Sequence, residues 1–162
     1  MIHLIVGNTG SGKTTYANSL KKKSKGILFS IDNWNKTLFL VDKTESDGLA
    51  WFLERIERAE KMITELVLQL EAVNTDSILD LGLSQYEHRE KFRVFAEENN
   101  LEIKIHFLNV SKQVRKERVT KRNTEKGETF EFVVSDKDFE FMEAWFEPPT
   151  HRELQDAVII EN

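Results

Sequence analysis

Five short apolar runs punctuate the chain: Ile2–Val6, Ile27–Ile31, Ser77–Leu81, Ile103–Val110 and Ala157–Ile160. Three of them are near-continuous in Ile, Leu and Val, the pattern of parallel strands covered on both faces. Between the runs the apolar positions take a helical period. Thr14 to about Lys23 reads as a helix whose end collects Lys21, Lys22, Lys23 and Lys25, charges that complement the negative end of a helix. From Gly48 to Val73, the residues Leu49, Phe52, Ile56, Ala59, Ile63, Leu66, Leu70 and Val73 recur at alternating steps of three and four. That is one apolar stripe on a long helix, suited to a sheet face or to a dimer seam. Ser84-Gln85-Tyr86-Glu87 has the capping-box spacing and opens a helix through about Glu98, ended by Asn99-Asn100. Ser111 starts another to about Arg122, and Asn123–Thr129 reads as a loop. Ser135 with Asp138 caps a last helix through about Phe146, stopped by Pro148-Pro149. Strands alternating with helices predict an α/β fold: a five-stranded parallel sheet with helices on both faces.

The turn after the first strand adds chemistry to that frame. Gly7-Asn8-Thr9-Gly10-Ser11-Gly12-Lys13-Thr14 matches G-x-x-x-x-G-K-[ST]. Oxygens of a triphosphate must approach a ring of backbone N–H groups, which favours residues without a Cβ and able to take positive φ. Gly7, Gly10 and Gly12 answer to that need. Lys13 brings a charge to the β and γ phosphates, Thr14 a hydroxyl to Mg²⁺, and the following helix its N-terminal dipole. Gly7 to Thr14, with Tyr16 just beyond, are the candidate nucleotide-binding residues. The four fixed positions recur by chance in about 0.5% of such chains, and the strand before and helix after reduce that further. The expected architecture is therefore the three-layer sandwich of a phosphate-loop NTPase.

Length and charge narrow the setting. At 162 residues one domain is expected, with a lid at about 111–135. Cysteine is absent, which excludes disulfides, thiol catalysis and cysteine-ligated zinc and suits a reducing cytosol. Met1–Val6 is too short for a signal h-region, and no run approaches a membrane span. A cytoplasmic protein, monomer or homodimer, is expected. The net charge of −5 gives no overall basic footprint for nucleic acid.

Phosphoryl transfer also needs a carboxylate near Mg²⁺, a group to ready the acceptor, and positive charge on the transferring phosphoryl. In a parallel sheet these belong at strand C-terminal ends. Asp32 closes the second run and Asp80 follows Ser77-Ile78-Leu79 in the third. Asp80 suits a Mg²⁺ ligand, direct or through water, and Asp32 a base for an acceptor hydroxyl; the residues leave the two roles exchangeable. Arg115, Arg118 and Arg122 share one helix face, and residues 112–126 hold seven Lys or Arg against two acids. That is the composition of a lid helix brought onto phosphates. Arg89 is a further candidate cation. Guanine-reading N-K-x-D is absent, since Asn35-Lys36 continues as Thr37-Leu38. ATP is thus favoured over GTP by elimination.

Gly7–Thr14, Phe29-Ser30-Ile31-Asp32, Ile78-Leu79-Asp80 with Arg89, and Val114 through Asn123 together resemble the small phosphate-loop kinases. That family includes polynucleotide 5′-kinases, zeta toxins and chloramphenicol phosphotransferases. The resemblance runs from residue 1 to about 125. It implies that Asp32 is the base, and that Arg118 or Arg122 acts from the lid on the phosphates. The family often carries an arginine a few residues after the base. Here Asn33-Trp34-Asn35-Lys36 offers only Lys36, which counts against a phosphorylated or nucleic-acid acceptor.

The reading that follows is an ATP- and Mg²⁺-dependent kinase acting on a small-molecule hydroxyl, with Lys13, Asp32, Arg118 and Arg122 as its catalytic set and Thr14 and Asp80 on the metal. Two alternatives stand beside it: a polynucleotide or RNA-end kinase, and a non-catalytic ATP-binding switch. Trp34, Phe39, Trp51 and Phe52 are candidates to stack on a flat acceptor. Phe139, Phe141, Trp145 and Phe146 alternate with acids on a helix that either covers the sheet or favours a cationic acceptor. His3, His88, His106 and His151 share no metal-ligand spacing, and none is given a catalytic role.

Overall fold

Side-chain alternation along the first strand decides how the layers assemble. In β1 (Ile2–Val6), Ile2, Leu4 and Val6 fall on one face of the sheet and His3 and Ile5 on the other. The first set joins a core with Leu79, Ala59, Ile63, Val67, Phe92 and Ala96. The second face packs Ile5 and Ile78 with Ala17 and Leu108. All five β1 side chains are buried, which is why the run reads as continuously apolar apart from His3. The computed structural model describes residues 1–127, 130 and 133–161.

Four further strands complete the sheet: β2 (Ile27–Ser30), β3 (Ser77–Asp80), β4 (Ile103–Asn109) and β5 (Val158–Glu161), in the order β2-β3-β1-β4-β5, every pair parallel. The helices are α1 (Lys13–Ser24), α2 (Ile31–Trp34), α3 (Leu49–Ala72), α4 (Tyr86–Glu98), α5 (Lys112–Glu125), α6 (Asp136–Trp145) and α7 (His151–Leu154). The helix α1 covers one face and α3 and α4 the other. This is the parallel α/β sandwich that the hydrophobic pattern predicts. Strand β1 is central, paired with β3 on one side and β4 on the other, and the chain runs first to the edge strand β2 before returning through β3. The crevice at the C-terminal end of β1 is where such sheets take ligands.

Four local expectations need correction. The second strand stops at Ser30, and Ile31 already begins α2, which runs on through a π-turn (Asn35–Phe39) and a 3-10 turn (Leu40–Asp42). Asp32 therefore sits in the first turn of a helix rather than closing a strand. The helix α5 continues to Glu125, three residues into the segment read as loop, and residues 128 and 129 of that loop lie outside the described residues. The capping box at Ser84 is not made. Ser84 Oγ donates to the Gly82 carbonyl, while the Tyr86 N–H is taken by Glu147 Oε2 at 2.6 Å. The box at Ser135 and Asp138 is made on both sides, and an unforeseen second one joins Thr150 and Glu153 at α7. Finally, the apolar stripe of α3 is buried only in part. Twenty-four residues span about 36 Å, whereas strands of four or five residues span about 15 Å. Leu49 and Val73 overhang the sheet and are exposed, and the buried stretch runs from Ala59 to Val67. Among the described residues no helix is long and apolar enough to cross a membrane.

The face that carries α1 holds an unusual buried polar chain. Tyr16 Oη lies 2.8 Å from His106 Nδ1, His106 Nε2 lies 2.9 Å from His3 Nδ1, and His3 Nε2 lies at ion-pair distance, 3.4 Å, from Asp76. Burial, with His3 and Lys104 adding to it, pushes His106 down to about 4. The unfolded chain takes up that proton near pH 6.5, so it binds more protons than the fold between these limits. Stability is full above about pH 6.5 and is lost as pH falls toward 4, by about 3 kcal/mol. Urea unfolding across that range should show the loss, and His106→Gln should flatten it.

Candidate functional site

The turn between β1 and α1 owes its shape to two glycines. Gly10 has φ +80° and Gly12 φ +95°, left-handed values that a side chain strains. A Cβ on Gly10 would also stand 2.5 Å from the Arg115 carbonyl, so this glycine lets the turn seat against α5. At Gly12 the space is open except for the Arg118 guanidinium at 3.9 Å. Gly7 plays a different part from the one expected. Its φ is not positive, and a Cβ there would meet Ser11 Oγ at 2.6 Å and Leu108 at 3.1 Å, so it serves packing.

A cavity of about 420 Å³ opens over this turn. Its floor is formed by Gly10, Gly12, Lys13 and Thr14, and two carboxylates reach it, Asp32 from the first turn of α2 and Asp80 from the end of β3. Register explains their meeting: Ser30 pairs with Asp80, and Asp32 follows two residues later. Thr14 Oγ1 donates to Asp80 Oδ2 at 3.0 Å, bringing together a hydroxyl and a carboxylate able to share a divalent cation. Burial pushes the Asp80 carboxyl up, against the pull of Lys13 and the Thr14 hydroxyl, with Asp32 adding to the rise. Lys13 Nζ donates to the Gly7 carbonyl at 2.8 Å and lies 3.4 Å from that of Asn8. Burial lowers the lysine, and Asp80 and Asp32 oppose that effect.

The helix α5 contributes the third wall. Arg118 and Arg122 line the cavity, and Arg118 Nη1 donates to the Ser11 carbonyl at 3.3 Å. Arg122 is pushed down by burial while Asp32 favours its charged form. Its Nε is buried with no hydrogen-bond partner among the described residues, and Ser11 Oγ shares that state. Of the two, Arg122 lines the cavity, and a buried unpaired donor there suits an anionic ligand. Arg115, on the same helix face, does not reach the cavity. It is buried, donates to the Val110 carbonyl at 2.9 Å and to the Thr9 carbonyl at 3.3 Å, and pairs with Glu143 at 2.8 Å. Glu143 also accepts from Asn8 Nδ2 at 2.9 Å. A brace thus joins the phosphate loop, α5 and α6, and holds Asn8 behind the cavity. Met142 and Trp145 of α6 form the last wall, with Gly82 and Ser84 beyond β3. Helical spacing could have found this wall: Phe139 is buried, and Met142 and Glu143 lie one turn on.

Two residues move away from the site. Tyr16 turns to His106 and packs with Leu20, Leu28 and Ile160 on the far face, so its side chain is no part of the nucleotide cavity. Arg89 is fully buried and bonds Glu153 at 2.6 Å and the carbonyls of Leu83 and Glu147. It ties α4 to the segment before β5. Glu153→Gln should weaken a buried charge pair and cost about 3 kcal/mol of stability, read as a fall in urea midpoint, with nucleotide affinity unchanged.

A family model for the AAA domain matches residues 2–149. The chain belongs to the AAA domain family. No curated protein matches it. Among solved structures it is similar to Kti12 of Chaetomium thermophilum in complex with ADP-AlF3, at 15% identity and a TM-score of 0.71, over 100% of this chain and 88% of the other. A gluconokinase of Sinorhizobium meliloti matches at 18% identity and 0.59, covering 98% and 81%. The APS kinase CysC of Mycobacterium tuberculosis, in complex with AMPPNP and APS, matches at 16% identity and 0.66, covering 99% and 87%. The fold is that of the phosphate-loop kinases, as the resemblance from Gly7–Thr14 onward implies. At these identities the likeness shows the fold.

Proposed function

We propose that the protein is an ATP- and Mg²⁺-dependent phosphotransferase that moves the γ-phosphoryl group of ATP to a hydroxyl of a small-molecule acceptor. One observation carries the reading: a single cavity is lined by a glycine-rich turn, a carboxylate at the end of β3, another in the first turn of α2, and two arginines of one helix. Gly10 and Gly12 let the turn curl so that its amides can meet phosphate oxygens. Lys13 exchanges its loop carbonyls for the β and γ phosphates. Thr14 and Asp80 are the residues to hold Mg²⁺, which neutralises charge on the phosphates. Asp32 takes the proton of the acceptor hydroxyl as its oxygen bonds to phosphorus, the β–γ bridging P–O bond breaks, and ADP departs. Arg118 and Arg122 hold the equatorial oxygens.

The test is label transfer from γ-labelled ATP to a panel of hydroxyl compounds, with ADP release followed in parallel. Label on an acceptor supports the reading. Tight binding of Mg-ATP with no label on any acceptor would overturn it in favour of an ATP-binding switch.

A further inference from the structure

We infer that the acceptor is an alcohol with no anionic group, bearing a flat aromatic body that packs on Trp145 and Met142. This rests on the kinase reading and narrows its substrate class.

The position of these two side chains carries the first half. Trp145 borders Gly82 and Ser84, beyond the end of β3, and its carbonyl accepts from Gln85 Nε2. It is thus on the Asp80 side of the phosphate turn, whereas Arg118 stands over Gly12. An acceptor has to enter from the carboxylate side, so it passes the α6 wall. That wall is held in place: Met142 Sδ lies 2.8 Å from Thr9 Oγ1, and Phe141 stacks on Trp145 at 6.0 Å and 17°. Trp145 remains about half exposed, an aromatic surface at the mouth of a polar cavity.

Charge carries the second half. The cations on the cavity wall are Lys13, Arg118 and Arg122, all on the phosphate turn or α5, against the carboxylates Asp32 and Asp80. Their sum is one positive charge, and a magnesium–triphosphate brings about two negative ones. The loaded site is therefore net negative, with no cation on the α6 wall to meet a carboxylate or phosphate on the acceptor.

The test uses the full chain loaded with Mg-AMPPNP, and measures binding by ligand-observed NMR. The probes are 2-phenylethanol, 2-amino-1-phenylethanol, 3-phenyllactate and glycerol. The two aryl alcohols without a carboxylate are expected to bind about tenfold more tightly than 3-phenyllactate and than glycerol. Trp145→Ala should weaken them about tenfold and Trp145→Phe much less, with affinity for Mg-AMPPNP held within about twofold. Equal or tighter binding of 3-phenyllactate, aryl binding indifferent to Trp145→Ala, or no aryl binding at millimolar concentration would each overturn the inference. Aryl binding with the expected preference but no label transfer from ATP would instead defeat the kinase reading and leave the ligand class standing.

Discussion

Asp32→Asn should lower the rate of phosphoryl transfer by about 10² to 10⁴ while leaving the Kd for Mg-ATP within about threefold. Asparagine keeps the shape of the side chain in the first turn of α2 but cannot take a proton. Single-turnover transfer and calorimetric titration of Mg-ATP separate the two quantities. Asp80→Asn gives the contrast. Its carboxylate meets the Thr14 hydroxyl at 3.0 Å, so its loss should weaken metal binding and raise the Mg²⁺ concentration at half-maximal rate. If Asp80→Asn left Mg²⁺ dependence unchanged and Asp32→Asn altered it, the two carboxylates would have to exchange roles.

Lys13→Ala should reduce kcat/KM for ATP by about a thousandfold, with a clear rise in the Kd for Mg-ATP. Lys13 is the cation at the floor of the cavity, and its hydrogen bonds to Gly7 and Asn8 show it within reach of the whole turn. Its removal also takes a counter-charge from Asp80, whose carboxyl burial already pushes up. Asp80 would then hold its proton to higher pH, and metal binding in the variant should weaken more steeply on acidification than in the wild type. Transfer kinetics at saturating Mg²⁺, repeated across pH, would check both effects. A variant that kept wild-type kcat/KM would remove Lys13 from the mechanism.

The residues that were legible before any coordinates are those whose structure is local. Gly10, Gly12, Lys13 and Thr14 act through consecutive backbone, so spacing reveals them. The central strands β1 and β3 are legible because burial on both faces leaves little room for polar residues. What resisted was decided across long separations. Ser84 and Glu87 have the spacing of a cap, but Glu147, sixty-one residues from Tyr86, supplies it instead. Arg115, Arg118 and Arg122 share a helix face, yet only Arg115 meets a carboxylate from α6, so the three diverge in role. Arg89 is drawn inward by Glu153, and Tyr16 by His106 on β4. The turn from β2 into α2 carries no Gly or Pro to announce it, so the hydrophobic pattern alone runs the strand on to Asp32.

The close seat of Gly10 on the Arg115 carbonyl has a bearing on engineering. A segment exchange cut at the boundary of α5 would be joined at Ser111. A graft joined there would bring a foreign first turn against the anion loop and would have to reproduce both the guanidinium–carboxylate tie to Glu143 and a matching small residue at position 10. A splice placed after Arg118 leaves that joint native and keeps both the Gly10 contact and the Glu143 tie.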